Sequence, residues 1–96
     1  MARLRWLPEA ITDLERHFAF IAEHDPQAAA RAAGAILRGA DRLADTPRLG
    51  RLLADGTERR EVVIPFGAGA YVLRYRLEGD ETAVLLRVWH SRESRR

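Results

Sequence analysis

"YVLRYRLEGDETAVLLRVWH", residues 71–90, is the stretch on which the fold turns. Apolar and polar residues alternate on both sides of Gly79-Asp80, a period of two broken by tight-turn chemistry, and this predicts a β-hairpin. Tyr71, Leu73, Tyr75 and Leu77 then share one face of the first strand, with Val72, Arg74 and Arg76 on the other. In the second strand the same count puts Val84, Leu86, Val88 and His90 on the core side, and Leu85, Arg87 and Trp89 opposite. Immediately upstream, "RREVVIPF" (59–66) reads as a further strand and "FGAGAY" (66–71) as a glycine-bearing connection.

Before residue 46 the period is helical. "LPEAITDLERHFAFIAEHD" (7–25) opens with Pro8, which suits a first helical turn, and Glu9 and Asp13 lie near the positive end of the helix dipole. Ile11, Leu14, Phe18 and Ile21 recur at helical spacing and are expected to face the core. Asp25-Pro26 is a second start signal, an N-cap followed by proline. Ala29, Ala33, Ile36, Ala40 and Leu43 form the apolar stripe of that second helix, which should stop ahead of Pro47. The short alternating run "RLRWL" (3–7) predicts an edge strand, with Trp6 in core or edge packing. The sum is an α+β fold, in which an N-terminal short strand and a helical hairpin pack on one face of a small antiparallel sheet.

A chain of 96 residues is expected to form one domain, 1–96, around a single core. With 47% apolar and 31% charged residues it is globular rather than disordered. Cysteine is absent, which excludes disulfides, thiolate nucleophiles and cysteine-ligated metals. No apolar run matches a signal peptide or a membrane span, so a cytoplasmic protein without a membrane partner is expected. All 16 basic residues are arginine, so any phosphate or carboxylate contact uses a guanidinium and no lysine can act as a base. The net charge of +2 is small for a protein that lives on nucleic acid, although the basic excess sits in the second half of the chain.

The order of these elements carries a likeness. "WLPEAITDLERHFAFIAEHDPQAA" (6–29), "LADTPRLGR" (43–51), "RREVVI" (59–64), "YVLRYR" (71–76) and "LLRVWHSR" (85–92), taken as an ordered set, resemble the ParE/RelE superfamily of toxins from type II toxin–antitoxin systems. The resemblance is closer to the ParE branch. It implies a toxin neutralised by a cognate ParD-like antitoxin in a hetero-oligomer, a role in plasmid stabilisation, and no cofactor or metal. ParE-like members inhibit DNA gyrase. RelE-like members cleave messenger RNA on the ribosome, and a third possibility is an inactive relative that retains only antitoxin binding.

The nuclease alternative needs a base, an acid and cations over a charged phosphorane. Arg74, Arg87, His90 and Glu61 are the residues available for it. Strand parity turns His90 away from the arginines, so the expected role of His90 is a hydrogen bond to a neighbouring chain end at the lip of the core. For Glu61, a surface ion pair beside Arg59 and Arg60 is the commoner role. In the gyrase reading the target-facing residues are Trp89, His90, Arg92, Arg95 and Arg96. Arg74, Arg76, Arg87 and Trp89 form an outward patch suited to an acidic, partly apolar antitoxin segment. The competing account of that patch is arginine stems covering apolar sheet. His17 and His24 have no metal-ligand partners in register. "PRLGR" (47–51) reads as a turn that carries the chain from the second helix into the sheet.

Overall fold

The computed structural model describes residues 1–93. Strand β1 (Arg3–Trp6) leads into helices α1 (Pro8–Ala22) and α2 (Pro26–Asp45). Strands β2 (Arg51–Leu52), β3 (Arg60–Phe66), β4 (Gly69–Glu78) and β5 (Thr82–His90) follow. They form one five-stranded sheet in the order β1-β5-β4-β3-β2. The α+β arrangement is the expected one, with one correction. The sheet is mixed, because β1 runs parallel to β5, Arg3 opposite Thr82 and Trp6 opposite Leu85, while every other pair is antiparallel. Parallel neighbours require a long crossover, and the helical hairpin with β2–β4 supplies it.

The punctuation residues act where the sequence places them. Pro8 opens α1, the Asp25 carboxylate accepts the Ala28 N–H at 3.0 Å to cap α2, and α2 ends at Asp45, two residues before Pro47. Gly67 takes φ 59° in the two-residue turn between Phe66 and Gly69, and Gly79 takes φ 61° in the three-residue connection between Glu78 and Thr82. Both are left-handed conformations that glycine adopts without a Cβ clash.

Two sequence expectations about facing are overturned. In α1, Ile11 and Phe18 are 43% and 42% exposed, and the buried stripe is Ala10, Asp13 and His17. The helix is rotated because Asp13 and His17 find polar partners on β5 that a period count cannot anticipate. In β5, the register shifts between Arg74/Tyr75, with Arg74 opposite Arg87 but Tyr75 opposite Leu85, so Leu86 is an extra residue. Ahead of this bulge the faces invert. Leu85 and Ala83 lie opposite Tyr75 and Leu77 in the core, and Val84 lies opposite Arg76 on the outer face. Beyond the bulge the expected parity holds for Arg87, Val88, Trp89 and His90.

The core joins Ile36 and Leu43 of α2 to Leu73, Tyr75, Leu85 and Val88 of the sheet, with Trp6 packed partly buried against it. Tyr75 is fully buried, and its hydroxyl donates to the Pro47 carbonyl and accepts the Gly50 N–H, both at 2.8 Å. One phenol thereby holds the "PRLGR" turn against the sheet. Tyr75→Phe leaves both backbone groups unpaired and should lower unfolding stability by about 1–3 kcal/mol, measured by denaturant unfolding. Wild-type stability in the variant would show that the turn holds without the hydroxyl.

Candidate functional site

Sheet parity and the bulge separate two polar clusters, one on the outer face and one at the helix-facing end of β4 and β5. On the outer face Glu61 of β3 stands opposite Arg74 of β4, and both Arg74 Nε and an Arg74 terminal nitrogen donate to Glu61 Oε2, at 3.0 and 2.6 Å. A terminal nitrogen of Arg51 lies 3.7 Å from the other carboxylate oxygen. Glu61 is 6% exposed, so its ion pair is buried and cross-strand rather than a surface pair with Arg59 and Arg60. The Arg74 guanidinium also lies 4.9 Å from the centre of the Trp89 ring, a cation–π distance. Trp89, opposite Val72, covers the sheet and is itself buried.

Arg5, Arg76 and Arg87 are also engaged. Arg76 and Arg5 both reach Glu78 Oε2, at 3.0 and 2.9 Å, and their stems flank the fully buried Val84. Arg87 turns over the edge of β5 and grips Asp13 of α1 through Nε at 2.8 Å and a terminal nitrogen at 3.1 Å. Asp13 Oδ2 also accepts the Val88 N–H at 2.8 Å. Burial raises the Asp13 carboxyl, but the Arg87 and Val88 hydrogen bonds, with the charges of Arg87 and Arg16, outweigh it and hold the group below its ordinary range.

The second cluster surrounds Tyr71. His17 of α1 and His90 of β5 each make a T-shaped contact with its ring, with centroids at 5.3 and 5.2 Å. After β5 the chain folds back, Ser91 N–H to the Ala70 carbonyl at 2.8 Å and Arg92 N–H to His90 Nδ1 at 3.2 Å. Glu93 is drawn into the cluster, accepting the His90 N–H at 2.6 Å and an Arg16 terminal N–H at 2.9 Å. These groups, with Phe20, Phe66 and Arg92, line a cleft of ≈ 710 Å³. His17 Nε2 is buried 3.2 Å from Glu93 Oε2 without hydrogen-bond geometry. Burial holds the His17 imidazole below its ordinary value, against the pull of Glu93, while Arg16 adds to the depression. Glu93 is raised by burial and lowered more by the His90 N–H and by Arg16 and His17, so it stays ionised.

Arg74, Glu61 and Trp89 therefore stand together, Arg87 is drawn off to Asp13, and Arg76 to Glu78. His90 lies on the opposite side of the sheet from Arg74, at the lip of the core, bonded to the chain end. Arg92 lines the cleft, and Arg95 and Arg96 lie outside the described residues. Asp13, His17, Tyr71 and Glu93 did not stand out in the sequence. The available signal was the pair of polar residues Asp13 and His17 in one stripe with Ala10, four apart on α1. Among the described residues no group of three or more His, Asp or Glu is placed to hold a metal ion, and no helix is long and apolar enough to cross a membrane.

Comparison with known proteins yields a consistent set. The model of the family described as "ParE toxin of type II toxin-antitoxin system, parDE" matches residues 4–95. Toxin RelE1 of Caulobacter vibrioides is 42% identical over 86% of each chain, and Toxin RelE3 of the same organism 39% identical over 92% of each. A solved structure titled "Chromosomal ParDE TA system from P. aeruginosa" superposes with a TM-score of 0.77 at 19% identity, covering 94% of this chain and 96% of that one. That last likeness speaks for the fold.

The His17 cluster makes stability pH-dependent with a definite sign. The folded state binds the His17 proton less readily than the unfolded chain, so its stabilisation is present above the ordinary value of 6.5 and is lost as pH falls through it towards the folded value. The thermal midpoint should fall between about pH 7 and pH 5, and fall less in His17→Gln. Equal slopes in the two proteins would assign that proton to another group.

Proposed function

The chain belongs to the family of ParE toxins of type II toxin–antitoxin systems, and from that premise we propose that it is a ParE-type inhibitor of DNA gyrase, neutralised by a cognate ParD-like antitoxin. The supporting observation is the division of chemistry across the sheet. Cleavage of RNA through its own 2′-hydroxyl needs a base, an acid and spare cations at one phosphate. Here Arg74 and Arg87 are engaged by Glu61 and Asp13, while His90 opens on the other side beside Tyr71 and Glu93. An inhibitor that works by docking needs no such convergence. It needs only a surface, and for that we take the C-terminal run, Arg92 continuing in sequence to Arg95 and Arg96, rather than the buried Trp89 or the packed ring of His90. Arginine clusters of this kind steer a protein towards acidic protein or DNA surfaces.

The names of the relatives, Toxin RelE1 and Toxin RelE3, favour a second reading, a ribosome-dependent messenger RNA endonuclease. Arg74, Arg87, His90 and Glu61 would then have to be brought together on the ribosome. The two readings part at His90. Loss of a general base costs about 10²–10⁴-fold in rate, so His90→Gln would abolish the toxicity of a nuclease built on it. The gyrase reading expects His90→Gln to retain growth inhibition. Pulse-labelling after induction without antitoxin should show DNA synthesis falling before protein synthesis, and the purified protein should block supercoiling by gyrase. Early collapse of protein synthesis, with supercoiling intact, would overturn the proposal in favour of the nuclease.

A further inference from the structure

The arginines are divided unequally between those held by the chain's own carboxylates and those left over. Arg5, Arg16, Arg48, Arg51, Arg59, Arg74, Arg76 and Arg87 each form an ion pair within the chain. Among the described residues, Arg3, Arg60, Arg92 and the three arginines of α2, Arg31, Arg38 and Arg42, form none, although Asp41 and Asp45 share that helix. Arg38 and Arg42 stand one helical turn apart and, with Ala35 and Gly39, border a groove of ≈ 360 Å³ whose far wall is Ile64 and Pro65 of β3. Gly39 makes the groove shallow. A Cβ there would clash with the Ile64 side chain, so the helix rests directly on the strand.

Among the described residues, that stretch of β3 is also an open sheet edge. β2 covers only Arg60 and Glu61, opposite Leu52 and Arg51, and is the last strand on this side. The Leu53 N–H bonds the Arg59 carbonyl at 2.9 Å, so Arg59 and Glu61 direct their backbone groups towards β2. By the two-residue period Val63 and Pro65 direct theirs along the same edge, past the point where β2 has ended. Proline is tolerated in a strand where its missing N–H faces outward, in agreement with this parity. The edge therefore offers Val63 N–H, Val63 C=O and Pro65 C=O, with the Val63 side chain 58% exposed.

We propose that the open edge of β3 and the unpaired Arg38 and Arg42 form one docking strip for an extended acidic segment of the antitoxin, which adds to the sheet as a short strand beside β3. The choice of partner rests on the toxin–antitoxin reading above. Alternate side chains of an added strand point to opposite faces. Carboxylates on the helix side meet Arg38 and Arg42, and apolar residues on the other side cover Val63. Backbone hydrogen bonds give the segment its register, and the two guanidinium–carboxylate pairs select an acidic sequence.

The test uses a labelled peptide of about eight residues alternating glutamate and valine, its lysine–valine counterpart, and a backbone N-methylated copy of the acidic peptide. The full chain should bind the first peptide, more weakly as salt rises, and should bind neither of the others. The double variant Arg38→Glu/Arg42→Glu changes only exposed side chains and should keep the wild-type unfolding midpoint while losing at least about 10-fold in peptide affinity, as expected when charge-assisted pairs turn repulsive. The same variant should weaken the complex with the co-expressed antitoxin by a similar factor. Equal peptide binding by wild type and variant, or by the methylated and unmethylated peptides, overturns the strip. An antitoxin complex that keeps its affinity in the variant overturns the proposed occupant while the toxin–antitoxin reading stands. A wild-type chain that captures no antitoxin overturns both.

Discussion

The carboxylate of Asp13 ties the helical layer to the sheet at the point where the sheet runs out of strand. β1 stops at Trp6, and the Leu7 N–H to the Leu85 carbonyl, at 3.0 Å, is the last backbone bond it makes with β5. Beyond that bond the edge of β5 would be bare. Asp13, one and a half turns into α1, takes up the Val88 N–H and both donors of the Arg87 fork. A carboxylate this buried is costly unless it is fully paired, and three N–H donors on two oxygens meet that condition. The rotation of α1 and the outward swing of Arg87 follow from it. So does the placement of His17 one turn on, against Tyr71.

The same constraint shapes the functional surface. With Arg87 at Asp13, Arg74 at Glu61 and Arg76 at Glu78, the outer face is an apolar sheet roofed by aromatic and guanidinium groups that neutralise their charge locally. The small net charge of +2 is thus not spread evenly. Local pairing engages Arg5, Arg74, Arg76 and Arg87, and among the described residues it leaves Arg31, Arg38 and Arg42 of α2 without an ion pair. The exposed pairs of Arg5 and Arg76 with Glu78 add little to stability, whereas Glu61 and Asp13 are buried, so that removing the arginine partner of either is costly.

On the helix-facing side the polar cluster is organised around Tyr71. Two imidazoles make T-shaped contacts with its ring and Glu93 closes the turn after β5. His90 contributes there through its backbone N–H to Glu93 and through Nδ1 to Arg92, so its ring belongs to the packing of the chain end. The cleft beside it is walled mainly by apolar groups.

The sequence by itself determined what depends on neighbours a few residues away. Pro8, Asp25-Pro26 and Pro47 set the helix limits because each acts on its own backbone turn. Gly79-Asp80 set the hairpin, and the alternation of Tyr71, Leu73, Tyr75 and Leu77 set the buried face of β4. The ordered likeness of the segments was enough to reach the family. What only the tertiary structure decided rests on partners far apart in the chain. Asp13 and Arg87 are 74 residues apart, and their bond selects the face of α1 over the apolar stripe of Ile11 and Phe18. The Leu86 bulge inverts half of β5, and β1 joins β5 in parallel. The division of arginines into paired and free follows from the same cause. Period and propensity count along one chain, whereas a buried carboxylate is satisfied by whichever donors the fold brings to it.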